Sequence, residues 1–115
     1  DGAGANAVGL SFIGQGGLRL SRVSVGNLGV AYAPGILFAP TATSTLQMND
    51  VSVFNSPQAE AIWIKPQGAA SANVVLRNVK SDTNKDGLFI DGSVGTGAIN
   101  VSIRHQNNSA IPCFI

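Results

Sequence analysis

Two segments of the chain, PGILFAP at residues 34–40 and AIWIKP at residues 61–66, share one pattern. In each, two apolar residues separated by one other residue lie between a small residue and a proline, and their first members, Ile36 and Ile62, are 26 positions apart. The pattern extends in both directions at the same interval, so that four pairs form one column: Leu10/Phe12, Ile36/Phe38, Ile62/Ile64 and Leu88/Ile90. A constant period of this length is typical of a solenoid, in which each turn stacks on its neighbours.

Two further columns follow the first, and the third column loses its apolar character in the last repeat, at Gln106/Asn108. The second consists of Leu18/Leu20, Leu46/Met48, Val74/Leu76 and Val101/Ile103, and the third of Val23/Val25, Val51/Val53 and Val79/Ser81. The alternation within each pair has the period of a half-buried strand, and no window has helical spacing. We therefore predict an all-β chain that forms a single-stranded parallel β-helix of about four coils of 26–28 residues, with three short strands per coil. Right-handed winding is expected because parallel crossovers are almost always right-handed.

Polar residues mark the corners between the columns. The two-residue corners after the second column include Asn49-Asp50 and Arg77-Asn78. Such tight corners need unusual backbone angles, which Asn and Asp tolerate. Asn27 and Asn55 are 28 positions apart, with Thr83-Asn84 at the next equivalent place, and this spacing predicts a ladder of stacked polar side chains.

Composition narrows the class of protein. The 115 residues are 44% hydrophobic, which is enough for one domain with a core and excludes a disordered chain. Only 11% are charged and the net charge is +1, so the chain has no basic cluster for nucleic acid. No apolar run approaches the length of a membrane span. We expect residues 1–115 to form one β-helix domain, complete or a fragment of a longer solenoid, and the low charge favours a secreted or cell-surface bacterial protein.

The repeat resembles that of the pectin-lyase-like superfamily of right-handed parallel β-helix proteins, in particular its uncharacterised bacterial members. The resemblance is carried by PGILFAP (34–40), STLQMNDVSVFN (44–55), VVLRNVKSDTNKDGLFIDG (74–92) and VSIRH (101–105). It implies the fold, and for pectin-cleaving members an Arg or Lys base with calcium held by Asp on an outer strand face. This chain has Lys65 and Pro66 where a lyase strand motif carries Asp and His, and it lacks the polygalacturonase pattern. The resemblance therefore assigns neither the lyase nor the polygalacturonase active site to this chain.

One segment has half the ligand pattern of a calcium-binding loop. Asp82, Asn84 and Asp86 are followed by Gly87, which matches the opening D-x-N-x-D-G. Position twelve is Ser93 instead of a bidentate Glu, and Lys85 adds a cation. The alternative is a polar turn that ends in Asp-Gly. Calcium is the only cofactor that the sequence suggests.

A second candidate site lies on the outside of the first column. If the paired residues of this column point inward, then Leu37, Trp63 and Phe89 point outward and stack about 5 Å apart. Lys65 and Asp91 run beside them and are expected to pair across adjacent coils. We call Leu37, Trp63 and Phe89 the ridge. Exposed aromatic stacks serve protein contact or sugar recognition. The alternative is that the loop at residues 29–34 covers them.

These observations predict a non-catalytic β-helix module of a secreted or surface protein. Its ridge would contact a protein, a second copy of the chain, or a polysaccharide, and uncapped ends of the solenoid offer a second route to self-association. The alternative is a fragment of a polysaccharide lyase or glycoside hydrolase of the pectin-lyase-like superfamily, in which Lys65, Asp86 and Asp91 form part of an active face. We expect no nucleic-acid partner and no membrane span.

Overall fold

The computed structural model describes residues 8–27, 34–104, 107–108 and 113–114. These residues form a parallel β-solenoid of about three turns, where the sequence predicts about four. The strands are β1 (Leu10–Phe12), β2 (Gly16–Gly26), β3 (Ile36–Phe38), β4 (Ser44–Ile64), β5 (Ala72–Ile90), β6 (Ile99–Arg104), β7 (Asn107–Asn108) and β8 (Cys113–Phe114). The described part of the chain contains no helix of the length and apolar character that crossing a membrane requires.

The registers of the strand pairs reproduce the columns of the sequence. In the first column Ile36 pairs with Leu10 on one side and with Ile62 on the other, and Ile62 pairs with Leu88. In the second column Leu46 lies between Leu18 and Val74. All these pairs are parallel. Stacking of equivalent residues in successive turns is therefore confirmed.

The strands are longer than predicted because the corners do not end them. Instead of three short strands per coil, β4 runs for 21 residues and β5 for 19. At the corners after the second and third columns a single residue takes a left-handed φ between 50° and 61°, and β4 and β5 continue through both of these corners. These residues are Arg22, Asp50 and Asn78 at the first corner and Asn27, Asn55 and Thr83 at the second. Asn49, which we expected to share this role, does not have a positive φ.

The core lies inside the coils and is made by the inward member of each alternation. Phe38 is its largest fully buried side chain, and it stacks on Phe12 with ring centroids 5.1 Å apart. The other fully buried members come from all three columns: Ile36, Leu46, Met48, Ile62, Ile64, Leu76, Val51, Val53, Val74 and Val79. Burial of such a side chain stabilises the fold by roughly 1.5–3 kcal/mol before the entropy cost is subtracted.

Polar ladders run along the outside of the stack. The Asn55 side-chain amide donates to Asn27 Oδ1 at 2.7 Å, which confirms the predicted ladder between these two residues. Asn78 donates in the same way to Asp50, one coil away. Asn84 does not extend the ladder, because its amide group turns toward the Val53 carbonyl oxygen, to which it donates at 2.9 Å.

Candidate functional site

The ridge forms as the alternation predicts. Leu37 pairs in register with Trp63, and Trp63 pairs with Phe89, so the three side chains lie on successive coils on the outer face. The rings of Trp63 and Phe89 are stacked, with centroids 5.3 Å apart and an angle of 15° between their planes. Offset or parallel ring pairs of this kind add about 0.5–1.5 kcal/mol beyond the area that they bury.

Both charged neighbours of the ridge contact Trp63. The indole Nε1 donates to Asp91 Oδ2 at 3.2 Å, and the Lys65 ammonium lies 5.0 Å from the centroid of the indole ring. The sequence predicts a direct pair between Lys65 and Asp91 across adjacent coils. In the structure both side chains contact Trp63 instead. The indole N–H donates to the Asp91 carboxylate, and the indole π face lies next to the Lys65 ammonium.

The environment of Asp91 keeps its carboxylate ionised. Partial burial raises the pKa of Asp91, but hydrogen bonds from the side chain and backbone of Ser93, a hydrogen bond from Trp63 and the charge of Lys65 together outweigh this effect, so the pKa lies below the ordinary value. The backbone N–H of Ser93 donates to Asp91 Oδ1 at 2.9 Å. Asp91 therefore acts as a fixed anion that holds the edge of the indole ring.

A groove of about 400 Å³ opens beside the ridge. Two of its side chains are apolar and well exposed, Ile13 at 61% and Val94 at 47%. Gln67 forms part of the wall and donates from Nε2 to the Ala39 carbonyl oxygen at 3.1 Å. We call this space the ridge groove; its lining is Val8, Ile13, Pro34, Leu37, Ala39, Trp63, Lys65, Gln67 and Val94.

The repeat pattern predicts only some of the residues that line the ridge groove. Ile13 stands one coil before Ala39 and Lys65 in the same outward column, so the repeat itself contains the signal for it. Val94 lies after β5, where alternation predicts nothing. Of the predicted cover by residues 29–34, positions 29–33 lie outside the described residues, and Pro34 lines the groove.

The calcium-loop residues Asp82, Asn84 and Asp86 all lie within β5 rather than in a separate loop. Asn84 Oδ1 accepts a hydrogen bond from the Ser56 N–H at 3.1 Å, so this oxygen already has a donor. Asp86 pairs in register with Glu60 of β4. In the parts of the chain that the structure covers, no three or more His, Cys, Asp or Glu side chains come together as a metal site.

Glu60 is a buried carboxylate to which the sequence analysis assigned no role. Its side chain is 6% exposed and forms an ion pair with Lys85, with 3.5 Å between Oε1 and Nζ. Its second oxygen, Oε2, is buried without a hydrogen-bond partner in the described structure. Glu60 has the same parity as the inward residues Ile62 and Ile64 of β4, so the alternation itself is the signal for its burial.

Fold and surface together define the class of this protein as a parallel β-solenoid with an outer groove beside an aromatic ridge. Compared with protein-family models, with curated protein sequences and with solved structures, the chain has no match. The resemblance to the pectin-lyase-like superfamily thus depends on the repeat and its residues alone.

Proposed function

We propose that this chain is a non-catalytic β-solenoid module of a secreted or cell-surface bacterial protein, and that it contacts a protein partner through the ridge groove. The single observation that supports this is the exposure of apolar side chains at one concave place on the outer face. Ile13 and Val94 are among the large hydrophobic residues that remain well exposed, and both line the ridge groove. Contiguous exposed apolar area beside polar residues is typical of protein interaction sites.

The contacts of Trp63 favour a protein partner over a sugar. Sugar rings bind aromatic residues through a free ring face, but Phe89 covers one face of Trp63 and the Lys65 ammonium lies over the ring. The indole N–H already donates to Asp91. What remains of the ridge is its apolar edge together with Leu37, and this surface suits aliphatic or aromatic side chains of a protein.

The charges beside the groove do not favour the alternative of a lyase or hydrolase fragment. General acid catalysis needs a carboxyl group whose pKa is raised toward the working pH. The pKa of Asp91 is lowered instead, and its oxygens accept hydrogen bonds from Trp63 and Ser93. Asp86, the other acid of the supposed active face, lies beside Glu60 at the start of the column. Among the described residues that line the ridge groove, Lys65 is the only ionisable one, so neither acid faces it across this groove.

Selection from a displayed peptide library, followed by affinity measurement on the selected peptides, tests the proposal. We expect the chain to select peptides with apolar anchors, and Ile13→Ser to weaken their binding by roughly 10- to 100-fold, because one buried aliphatic anchor is worth about 1.5–3 kcal/mol. Ile13 is suited to the test because its side chain is largely exposed, so the substitution disturbs little of the fold.

Phe54→Ala is the matched control. Phe54 is another large hydrophobic residue with an exposed side chain (38%), but it directly follows the third column and does not line the ridge groove. Equal loss in both variants, or a glycan-array signal that Ile13→Ser abolishes, would contradict the proposed protein partner. A concentration-dependent dimer in analytical ultracentrifugation that Ile13→Ser dissociates would identify a second copy of the chain as the occupant instead.

A further inference from the structure

The solenoid gathers all four arginines of the chain on a side different from the ridge. Arg19, Arg77 and Arg104 occupy outward positions of the second column, and Arg22 lies at the corner that follows it. All four are exposed. Asp50 is the acid at that corner, and its Oδ1 already accepts a hydrogen bond from Asn78. This side, which we call the arginine face, therefore carries an excess of positive charge on a chain whose net charge is only +1.

Arg77 and Arg104 are placed where the fold by itself makes them unfavourable. They are register partners on adjacent coils, so their backbones lie about 5 Å apart and their charges repel. Other polar register partners form hydrogen bonds, as from Arg19 to Gln47 and from Asn100 to Asn73. Glu60 and Asp86 are a second like-charged register pair, but Glu60 has a counter-ion in Lys85. Among the described residues no carboxylate forms an ion pair with either Arg77 or Arg104. An anion from outside the chain would remove this repulsion.

The arginine face also has a groove that extends from Arg19 to Arg77 and that Arg104 does not line. This groove of about 310 Å³ is lined by Arg19, Gln47, Met48, Asn49, Val75 and Arg77. Arg19 Nε donates to Gln47 Oε1 at 3.0 Å, which orients the guanidinium and leaves its terminal nitrogens for a ligand. The side-chain amides of Gln47 and Asn49 add donors and acceptors of the kind that a peptide backbone requires.

We propose that the arginine face binds an acidic segment of a partner protein, with its Asp or Glu carboxylates held by Arg77, Arg104 and Arg19. Arginine presents a planar fork of donors that matches a carboxylate bidentately. Arg77 and Arg104 lie on adjacent coils, and Arg19 lies two coils before Arg77 on the same side. This spacing matches two or three carboxylates of a short extended segment, whereas nucleic-acid binding depends on neutralising a longer run of phosphates. This surface is separate from the ridge groove, so the inference stands independently of the proposed function.

Fluorescence anisotropy with a labelled hexaglutamate peptide tests the proposal, with hexaglutamine as the uncharged reference. We expect hexaglutamate alone to bind, and Arg77→Gln and Arg104→Gln each to weaken it by roughly tenfold, as for the loss of a charge-assisted hydrogen-bonded pair. Binding should also weaken as the salt concentration is raised from 50 to 200 mM. Lys80→Gln is the control, because it removes the same charge from an exposed position on the third side; it should change binding less than twofold.

A second measurement separates binding from a structural role. Because Arg77 and Arg104 repel each other, Arg77→Gln should leave the melting temperature unchanged or raise it, and Arg77→Lys should keep the charge but lose most of the bidentate affinity. Absence of binding at millimolar peptide, or equal losses for Arg77→Gln and Lys80→Gln, would overturn the proposal. Tighter binding of a single-stranded oligonucleotide of equal charge would overturn the assignment to an acidic protein.

Discussion

Phe38→Ala tests the central geometric feature of this fold, which is that alternate residues of the first column point into the coil. Phe38 is fully buried and stacks on Phe12 of the preceding coil. Leu37, its neighbour in the chain, points outward into the ridge and lines the ridge groove. Truncation of these two adjacent residues should therefore have very different effects on stability.

The expected magnitude follows from the burial of Phe38. A fully buried phenylalanine removes about 200 Å² from water, which corresponds to about 5 kcal/mol at 25 cal/mol per Å². A compact unfolded chain reduces this by roughly 10–40%. We expect Phe38→Ala to lower the free energy of unfolding by about 3–5 kcal/mol, in the usual range for this substitution. For a chain of this length, that loss lowers the melting temperature by roughly 15 °C.

Urea denaturation followed by circular dichroism measures both variants. Leu37→Ala should cost about 1 kcal/mol, because its side chain keeps partial contact with solvent in the folded state. Equal losses for the two variants, or a larger loss for Leu37→Ala, would refute the inward and outward alternation on which the ridge and the ridge groove depend.

Three further predictions concern the groove, the close approach of two coils and the corners. Since the pKa of Asp91 is lowered in the folded state, its ionised form stabilises the fold above the unfolded-state pKa of about 3.9, and this contribution is lost as the pH falls through the folded-state value. Asp91→Asn should lower the urea midpoint at pH 7, and the difference from the wild type should shrink as the pH falls below about 4. Gly97→Ala would drive a Cβ into the Ala70 carbonyl oxygen, so we expect thermal unfolding to show a loss of about 1–3 kcal/mol. Gly14→Ala, with open space around it, should cost under about 1 kcal/mol. Asn55 has a φ of 52°, so in denaturant titrations Asn55→Gly should lose only the side-chain hydrogen bond to Asn27, about 1 kcal/mol, while Asn55→Ala should lose about 1 kcal/mol more through backbone strain; equal losses would contradict the strain argument.

Much of the fold could be predicted because the spacing of the repeat determines which residues of successive coils pair in register. Residues 26 or 28 positions apart must stack if they belong to one column, and the pairs Ile36 with Ile62 and Leu46 with Val74 do so. Strand length could not be predicted, because the alternation breaks at each corner and suggests an end to the strand. In the structure one left-handed residue, such as Asp50, turns the chain and the ladder continues.

The candidate site was predictable in its backbone placement and not in its contacts. Alternation places Leu37, Trp63 and Phe89 on one outer line, since strand side chains must alternate. It does not determine that Asp91 accepts from the Trp63 N–H, or that the Lys65 ammonium lies over the indole ring. Those contacts depend on rotamers chosen by packing. They matter because they occupy the ring face and the N–H that a sugar would otherwise use.

By itself the amino-acid sequence determined the class of fold, the three apolar columns and the residues that share each outer line, because all of these follow from a period that is repeated along the chain. Only the tertiary structure decided which outer positions are covered, which charges meet and where the grooves open. Ile13 is exposed, and Arg77 faces Arg104 across adjacent coils. Burial and charge contacts depend on the distances between side chains of different coils, which are far apart in the chain. A local sequence pattern does not determine those distances.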